Sequence, residues 1–235
     1  VKKKDVPHIA YLPFDHATLV NNPKFTLDLA TFFCSIWTYD PNFGEYKVCP
    51  NCEKYFNEHQ VEVEHISQCS GENGSHPLTD IITAWVPEDV ANNILLEKTS
   101  EYGDNFFGLY AVDKDTDKIV GFTWGWLENA EAIREKWGDT IIEKLQGNNS
   151  TYYSEIAVAP GDTYRSKGIG KTLCSMLTMW MGSSYSYTPS FLRTHKTSHA
   201  KSMFEKVGYM YFADDPQHGD GRIMMMVEKG QDLIP

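Results

Sequence analysis

Tyr164-Arg-Ser-Lys-Gly-Ile-Gly-Lys171 lies between an apolar run, Tyr152-Tyr-Ser-Glu-Ile-Ala-Val-Ala-Pro160, and a periodic segment from Thr172 to Gly182. The pattern predicts a strand, a basic glycine turn and a helix. The first turn of a helix leaves backbone N–H groups without intrahelical acceptors, and the macrodipole adds partial positive charge there, so phosphate is the natural occupant. Gly168 and Gly170 let the backbone come close to it. A Walker A loop ending at Gly170-Lys171-Thr172 needs glycine at position 165, which is Arg. A dinucleotide fingerprint starting at Gly168 needs glycine at 173, which is Leu.

What remains is Arg165-x-x-Gly168-x-Gly170, which resembles the R/Q-x-x-G-x-G/A acetyl-CoA motif of the GCN5-related N-acetyltransferase (GNAT) family. Ile156-Ala-Val-Ala-Pro160 is similar to that family's fourth strand, and Ala200-Lys-Ser-Met-Phe-Glu-Lys-Val-Gly-Tyr209 to its A-x-x-x-Y-E-K-L-G-F element. The resemblance implies acetyl-CoA as co-substrate, held at Arg165, Ser166, Lys167, Gly168, Ile169, Gly170 and Lys171. It also implies backbone N–H contacts near Val158 and Ala159, with Phe204 beside the thiol end. Many relatives carry at that last position a Tyr that can protonate the departing thiolate; this chain has Phe204. The implied fold is α/β (α+β), a mixed, mostly antiparallel central sheet flanked by helices.

Element order agrees with that expectation. Strands are predicted at 8–14, 105–112, 119–127, 152–159, 190–194, 209–212 and 222–227, with a further short extended piece at 80–86. Helices are predicted at 26–38, 87–101, 129–145, 172–181 and 198–207. Pro87 stands early in its helix with acids in the first turn, and Asn129 is a suitable N-cap. The chain reads as one acetyltransferase domain, 1–235, with a small zinc-knuckle insertion at 46–76.

That insertion carries Cys49-Pro-Asn-Cys52 and His65-Ile-Ser-Gln-Cys69. The spacing C-x2-C-x12-H-x3-C resembles a zinc-knuckle set in which paired thiolates on a tight turn and a His/Cys pair one helical turn apart converge tetrahedrally. Four ligands close the shell, so the expected zinc is structural. His59 is the rival ligand, with Tyr55 and Phe56 as a minimal core. A disulfide is the competing reading; the odd cysteine count and the absence of an apolar leader after Val1-Lys-Lys-Lys-Asp5 argue against it. Cys34 and Cys174 fall in apolar periodic segments and read as packing residues.

The 235 residues are 41% hydrophobic, enough for a substantial core, and no apolar run reaches transmembrane length. A cytoplasmic, membrane-free enzyme is expected. With 21 basic against 32 acidic residues the net charge is −11, which disfavours nucleic acid and favours cationic partners. The expected partner is a small amine, such as a polyamine or aminoglycoside, or a protein amine, with homodimerisation left open. The alternative is a non-catalytic acyl-CoA-binding adaptor whose zinc module contacts a macromolecule.

Aminolysis of a thioester needs a base for the ammonium and a donor for the oxyanion. Glu155 matches a position where some amine-modifying relatives place that base. Regular alternation puts it on the strand face opposite Tyr152 and Ser154. Trp124, Trp126 and Glu128 alternate on the preceding strand, where they either line an amine pocket or pack the core. His195 and Ser198 are candidate substitute acids for the thiolate. Asp214, Asp215 and Asp220 lie between the last two strands. No acyl-enzyme is expected, since Cys174 lies on the cofactor helix.

Overall fold

The computed structural model describes residues 7–38, 44–71, 74–77, 81–185, 188–217 and 221–228. In chain order the elements begin with β1 (Ile9–Phe14), α1 (His16–Asn21) and α2 (Pro23–Thr38). The inserted segment holds β2 (Lys47–Val48), β3 (Tyr55–Phe56), α3 (Glu58–Glu62), β4 (Gln68–Gly71), β5 (Gly74–Pro77) and β6 (Ile82–Thr83). A helix follows as α4 (Pro87–Val90), a π-helical stretch (Ala91–Leu96) and α5 (Glu97–Tyr102). Next come β7 (Phe106–Asp113), β8 (Lys118–Glu128), α6 (Ala130–Trp137), α7 (Asp139–Lys144) and β9 (Ser150–Val158). The chain continues through α8 (Ile169–Ser184), β10 (Ser190–His195), α9 (His199–Lys206), β11 (Met210–Asp214) and β12 (Arg222–Val227).

The chain divides into two compact units, 17–98 on one side and 1–16 with 99–235 on the other. The larger unit is built on a seven-stranded sheet in the order β1-β7-β8-β9-β10-β12-β11. Every neighbouring pair is antiparallel except β9 and β10. This is the expected mixed, mostly antiparallel sheet with helices.

One sheet face is covered by α8. Its residues Ile169, Leu173, Cys174, Leu177 and Met181 recur at helical spacing and are 2% exposed or less. They pack with Tyr153, Leu192 and, from α9, Phe204. Each such side chain contributes about 1.5–3 kcal/mol on burial. Burial pushes the Cys174 thiol up to about 12, so it is an inert packing residue.

The other face is aromatic. Trp124 stacks on Phe122 at 4.7 Å between centroids. Trp126 meets Tyr152 edge-on at 5.4 Å, and Trp137 reaches Tyr152 at 4.9 Å and Phe191 at 5.1 Å. Trp137 comes from the segment predicted as one helix over 129–145. The Asn129 cap is present, accepting from the Ala132 N–H at 2.8 Å, but Gly138 at φ 84° breaks the helix into α6 and α7. That backbone region is cheap only for glycine.

In the smaller unit α2 buries Leu29, Ala30, Phe33 and Cys34, whereas Leu27 is 40% exposed. Burial raises the Cys34 thiol to about 11, in keeping with a packing role. Strands β3, β2 and β6 form a small sheet, and β4 and β5 form a separate hairpin. Of the expected minimal core, Phe56 is buried with Cys49 and Cys69. Tyr55 is 43% exposed and lies parallel to Trp85. Among the described residues no helix is long and apolar enough to cross a membrane.

Candidate active site and thiol cluster

Strand β9 is distorted at two places that matter chemically. It pairs with β10 only from Thr151 to Tyr153, although β9 continues to Val158 and β10 to His195, so the two strands part beyond that point. Against β8 the register runs Trp124↔Glu155 and then Gly125↔Tyr153, leaving Ser154 as a bulge. The bulge resets the phase of the strand: Tyr153 and Ile156 both pack on the α8 side. Glu155 therefore shares the aromatic face with Tyr152, opposite Trp124, and not the opposite face as strict alternation predicts.

The parting exposes one edge of β9. The Ala159 N–H is spent on the Val120 carbonyl at 2.8 Å, which withdraws Ala159 from the expected donor pair. Alternation along the strand directs the Val158 N–H to the other edge, the one that leaves β10.

Just beyond lies the glycine turn. Gly168 caps α8 at φ 83°, and Ser166 also takes the left-handed region at φ 60°. Such turns make concave arrays of N–H groups that bind anions. Arg165 and Ser166 are exposed, Lys167 is half-buried, and Ile169 is sunk in the core, so Ile169 contributes only backbone. A strap not foreseen from the sequence holds this turn: the Tyr164 hydroxyl donates to Asp113 Oδ2 at 2.8 Å. The Asp115 N–H and that hydroxyl hold the buried Asp113 carboxyl below the usual aspartate range. The same bond raises the Tyr164 hydroxyl.

Charged groups collect on the aromatic face where β9 and β10 separate. Arg193, the first β10 residue past the paired stretch, lies 3.6 Å from Asp215 Oδ2, whose side chain has no exposed surface. Burial, partly offset by Arg193 and reinforced by Glu155 and Asp215, pushes the Tyr152 hydroxyl up to about 12. The neighbouring Asp214 is exposed and pairs with Lys196 at 3.0 Å; Asp220 lies outside the described residues. Phe204 is 4% exposed and meets Tyr153 edge-on at 5.6 Å, a packing position without a proton to give. Ser198 is the N-cap of α9, and His195 Nδ1 lies 2.8 Å from Thr197 Oγ1.

Trp124 and Trp126 are core residues, 2% and 5% exposed. Glu128 behaves differently. Its Oε2 accepts from Tyr102 at 2.9 Å and from Trp126 Nε1 at 3.0 Å. It lines a polar cavity of about 680 Å³ together with Glu101, Asn105, Glu135 and Lys136.

In the insertion the sulfurs of Cys49, Cys52 and Cys69 lie within 4.8 Å of one another. All five cysteines are free. The β2–β3 turn brings the first two together through Glu53 N–H to Cys49 O at 2.8 Å and Cys49 N–H to Lys54 O at 3.0 Å. Burial and the adjacent thiols push the Cys69 thiol up to about 11. Converging sulfurs of this kind suit a soft or borderline cation such as zinc. His65 does not join them: α3 ends at Glu62, and His65 is exposed at φ 48°. The helical His/Cys spacing expected for 65 and 69 is thus absent. His59 is exposed beside Glu64 at 3.5 Å.

Comparison with known proteins agrees with this architecture. The structure is similar to ribosomal-protein-S5-alanine acetyltransferase from Vibrio fischeri, with TM-score 0.55, 10% identity and 98% of each chain covered. It is also similar to PaiA N-acetyltransferase from Thermoplasma acidophilum in complex with coenzyme A, with TM-score 0.53, 15% identity, and 94% of this chain and 99% of that chain covered. A third similar structure is histone acetyltransferase HPA2 and related acetyltransferase from Corynebacterium glutamicum, with TM-score 0.51, 12% identity, and 96% and 99% covered. No curated protein matches. Residues 76–209, more than half of the chain and including β9, the glycine turn and α9, match the Acetyltransferase (GNAT) family, and the chain belongs to that family.

Proposed function

We propose that the protein is an acetyl-CoA-dependent N-acetyltransferase that moves the acetyl group directly from the thioester to a primary amine. The observation that carries this reading is the parting of β9 from β10 beside the glycine turn that starts α8. One feature offers an open peptide edge and the other an anion cradle. Acetyl-CoA is the donor substrate. Arg165 to Lys171 hold its diphosphate, and the Val158 N–H takes up charge developing on the thioester oxygen. Glu155 removes the proton from the acceptor ammonium, directly or through water. The C–N bond then forms, the nitrogen of the tetrahedral intermediate gives its remaining extra proton to water, the C–S bond breaks as the intermediate collapses, and the thiolate leaves. Phe204 supplies no proton, so the thiolate takes one from His195 or from water.

A cationic acceptor is supported by the net charge of −11 and by the carboxylates on the aromatic face. Small polyamine-like or aminoglycoside-like amines and protein amines both satisfy this chemistry. One of the similar folds bears the name of a protein-alanine acetyltransferase, which supports including peptides among the candidates. The insertion holds one structural zinc ion through Cys49, Cys52 and Cys69. The test is thiol release from acetyl-CoA against spermidine, an aminoglycoside and peptides with free N-terminal or lysine amines. Acetyl transfer to at least one class is expected. Tight acetyl-CoA binding with no turnover across the panel overturns the enzyme reading in favour of the adaptor.

A further inference from the structure

The cavity at the C-terminal end of β8 takes no part in the transfer chemistry above, and its walls are strongly acidic. They carry three carboxylates, Glu101, Glu128 and Glu135, against one ammonium, that of Lys136. The ammonium lies over the Trp137 and Tyr152 rings, 4.6 and 5.4 Å from their centroids. Glu128 is only 6% exposed. Its donors are the Tyr102 hydroxyl at 2.9 Å, Trp126 Nε1 at 3.0 Å and the Asn129 N–H at 3.3 Å, all of them neutral. Among the described residues no Lys, Arg or His forms an ion pair with it. A buried carboxylate is ordinarily compensated by a cation, and here the space for one is the cavity itself. We propose that this cavity binds an aliphatic di- or polyammonium ion at a site separate from that of acetyl transfer.

Size and charge distribution set the ligand class. A volume of about 680 Å³ suits an organic molecule. The carboxylates do not converge on one point: among the described residues only the sulfurs of Cys49, Cys52 and Cys69 come close enough together to hold a metal ion. Carboxylates spread around a cavity match positive charges spread along an alkyl chain. Tyr102, which lines the cavity, stacks on Trp126 at 4.6 Å and 22°, an aromatic wall of the kind that attracts alkylammonium groups. Both of these side chains donate to Glu128 Oε2, so the carboxylate is fixed before a ligand arrives. Three donors leave it further acceptor capacity for an ammonium N–H. Along β8, Glu128 pairs with Ser150 whereas Trp124 pairs with Glu155, a separation of ~13 Å at ~3.3 Å per residue. Trp126 and Tyr152, 5% and 6% exposed, meet edge-on and fill the face between. An amine in the cavity is therefore kept from Glu155, and it is not the amine that receives the acetyl group.

The experiment titrates the full chain, without acetyl-CoA, with putrescine, spermidine and Mg²⁺. Binding is followed through the indole N–H resonance of Trp126, assigned with Trp126→Phe, because that N–H donates to Glu128. Both amines are expected to move this resonance in a saturable way, with an affinity that falls as salt rises. Glu101→Gln and Glu135→Gln, at exposed positions that fold without difficulty, should each weaken binding ~4-fold or more, the Coulomb effect of one charge ~5 Å away even in water. Glu128→Gln keeps the side-chain shape and should weaken it further. Glu155→Gln should leave the affinity measured at Trp126 unchanged. A Trp126 resonance that does not respond to either amine overturns the proposal, as does an affinity indifferent to Glu101→Gln and Glu135→Gln. Loss of the response in Glu155→Gln shows that amines bind only at the transfer site and also overturns it. Saturation by Mg²⁺ as tight as by the amines refutes the organic ligand class. The readout needs no turnover, so it stands or falls independently of the acetyl-transfer assay.

Discussion

Gly168 allows backbone strain and electrostatics at the phosphate cradle to be measured separately. Its φ is 83°, and a Cβ added there meets no protein atom within 4 Å. Gly168→Ala therefore costs only the left-handed conformation, about 1–2 kcal/mol, or ~5- to 30-fold in CoA affinity if the whole cost falls on the bound state. Gly168→Gln adds a neutral side chain to the cradle, and Gly168→Glu adds a charge of the same shape. For a phosphate charge ~5 Å away, the Coulomb repulsion is ~0.8 kcal/mol in water and ~3 kcal/mol at an effective dielectric of 20. Glu should therefore bind ~4-fold to a few hundred-fold more weakly than Gln. Calorimetric titration of CoA at low and high salt reads both effects. The Gln-to-Glu gap should narrow at high salt, while the Gly-to-Ala gap should not. Equal affinities for Gln and Glu, or a gap indifferent to salt, would refute the placement of the diphosphate at this turn.

Glu155→Gln should lower kcat by ~100-fold or more near neutral pH, with the deficit shrinking as pH rises and the acceptor deprotonates itself; a pH-independent wild-type rate removes the base role. Asp113 has a depressed carboxyl, so its contribution is present above the ordinary aspartate pKa and lost as pH falls through its lower folded value. Tyr164→Phe should weaken CoA binding at neutral pH and flatten that acid-side dependence, and an unchanged profile would show that the strap does not hold the turn. Trp137→Ala should destabilise the chain by about 3–5 kcal/mol in denaturant unfolding, since it empties a buried aromatic site between Tyr152 and Phe191. A loss under 1 kcal/mol would mean that α6 does not cover that face.

Features written in a few consecutive residues were legible in the chain itself. The glycine turn, the periodic face of α8, the Asn129 cap and the paired cysteines at 49 and 52 depend on local backbone chemistry, and they stand where expected. The succession of strands and helices follows for the same reason. Other features depend on what lies opposite. The bulge at Ser154 becomes visible only in the register with β8, and it moves Glu155 onto the face of Tyr152. The Ala159 N–H is lost to Val120, and Arg193 meets a buried Asp215 from a distant strand. Cys69 reaches Cys49 and Cys52, while His65, closer to them in sequence, does not. A side chain's type and its neighbours along the chain set local conformation, including the glycine turn proposed as the donor site. Register across strands, which one inserted residue can reverse, decides which of those side chains share a site.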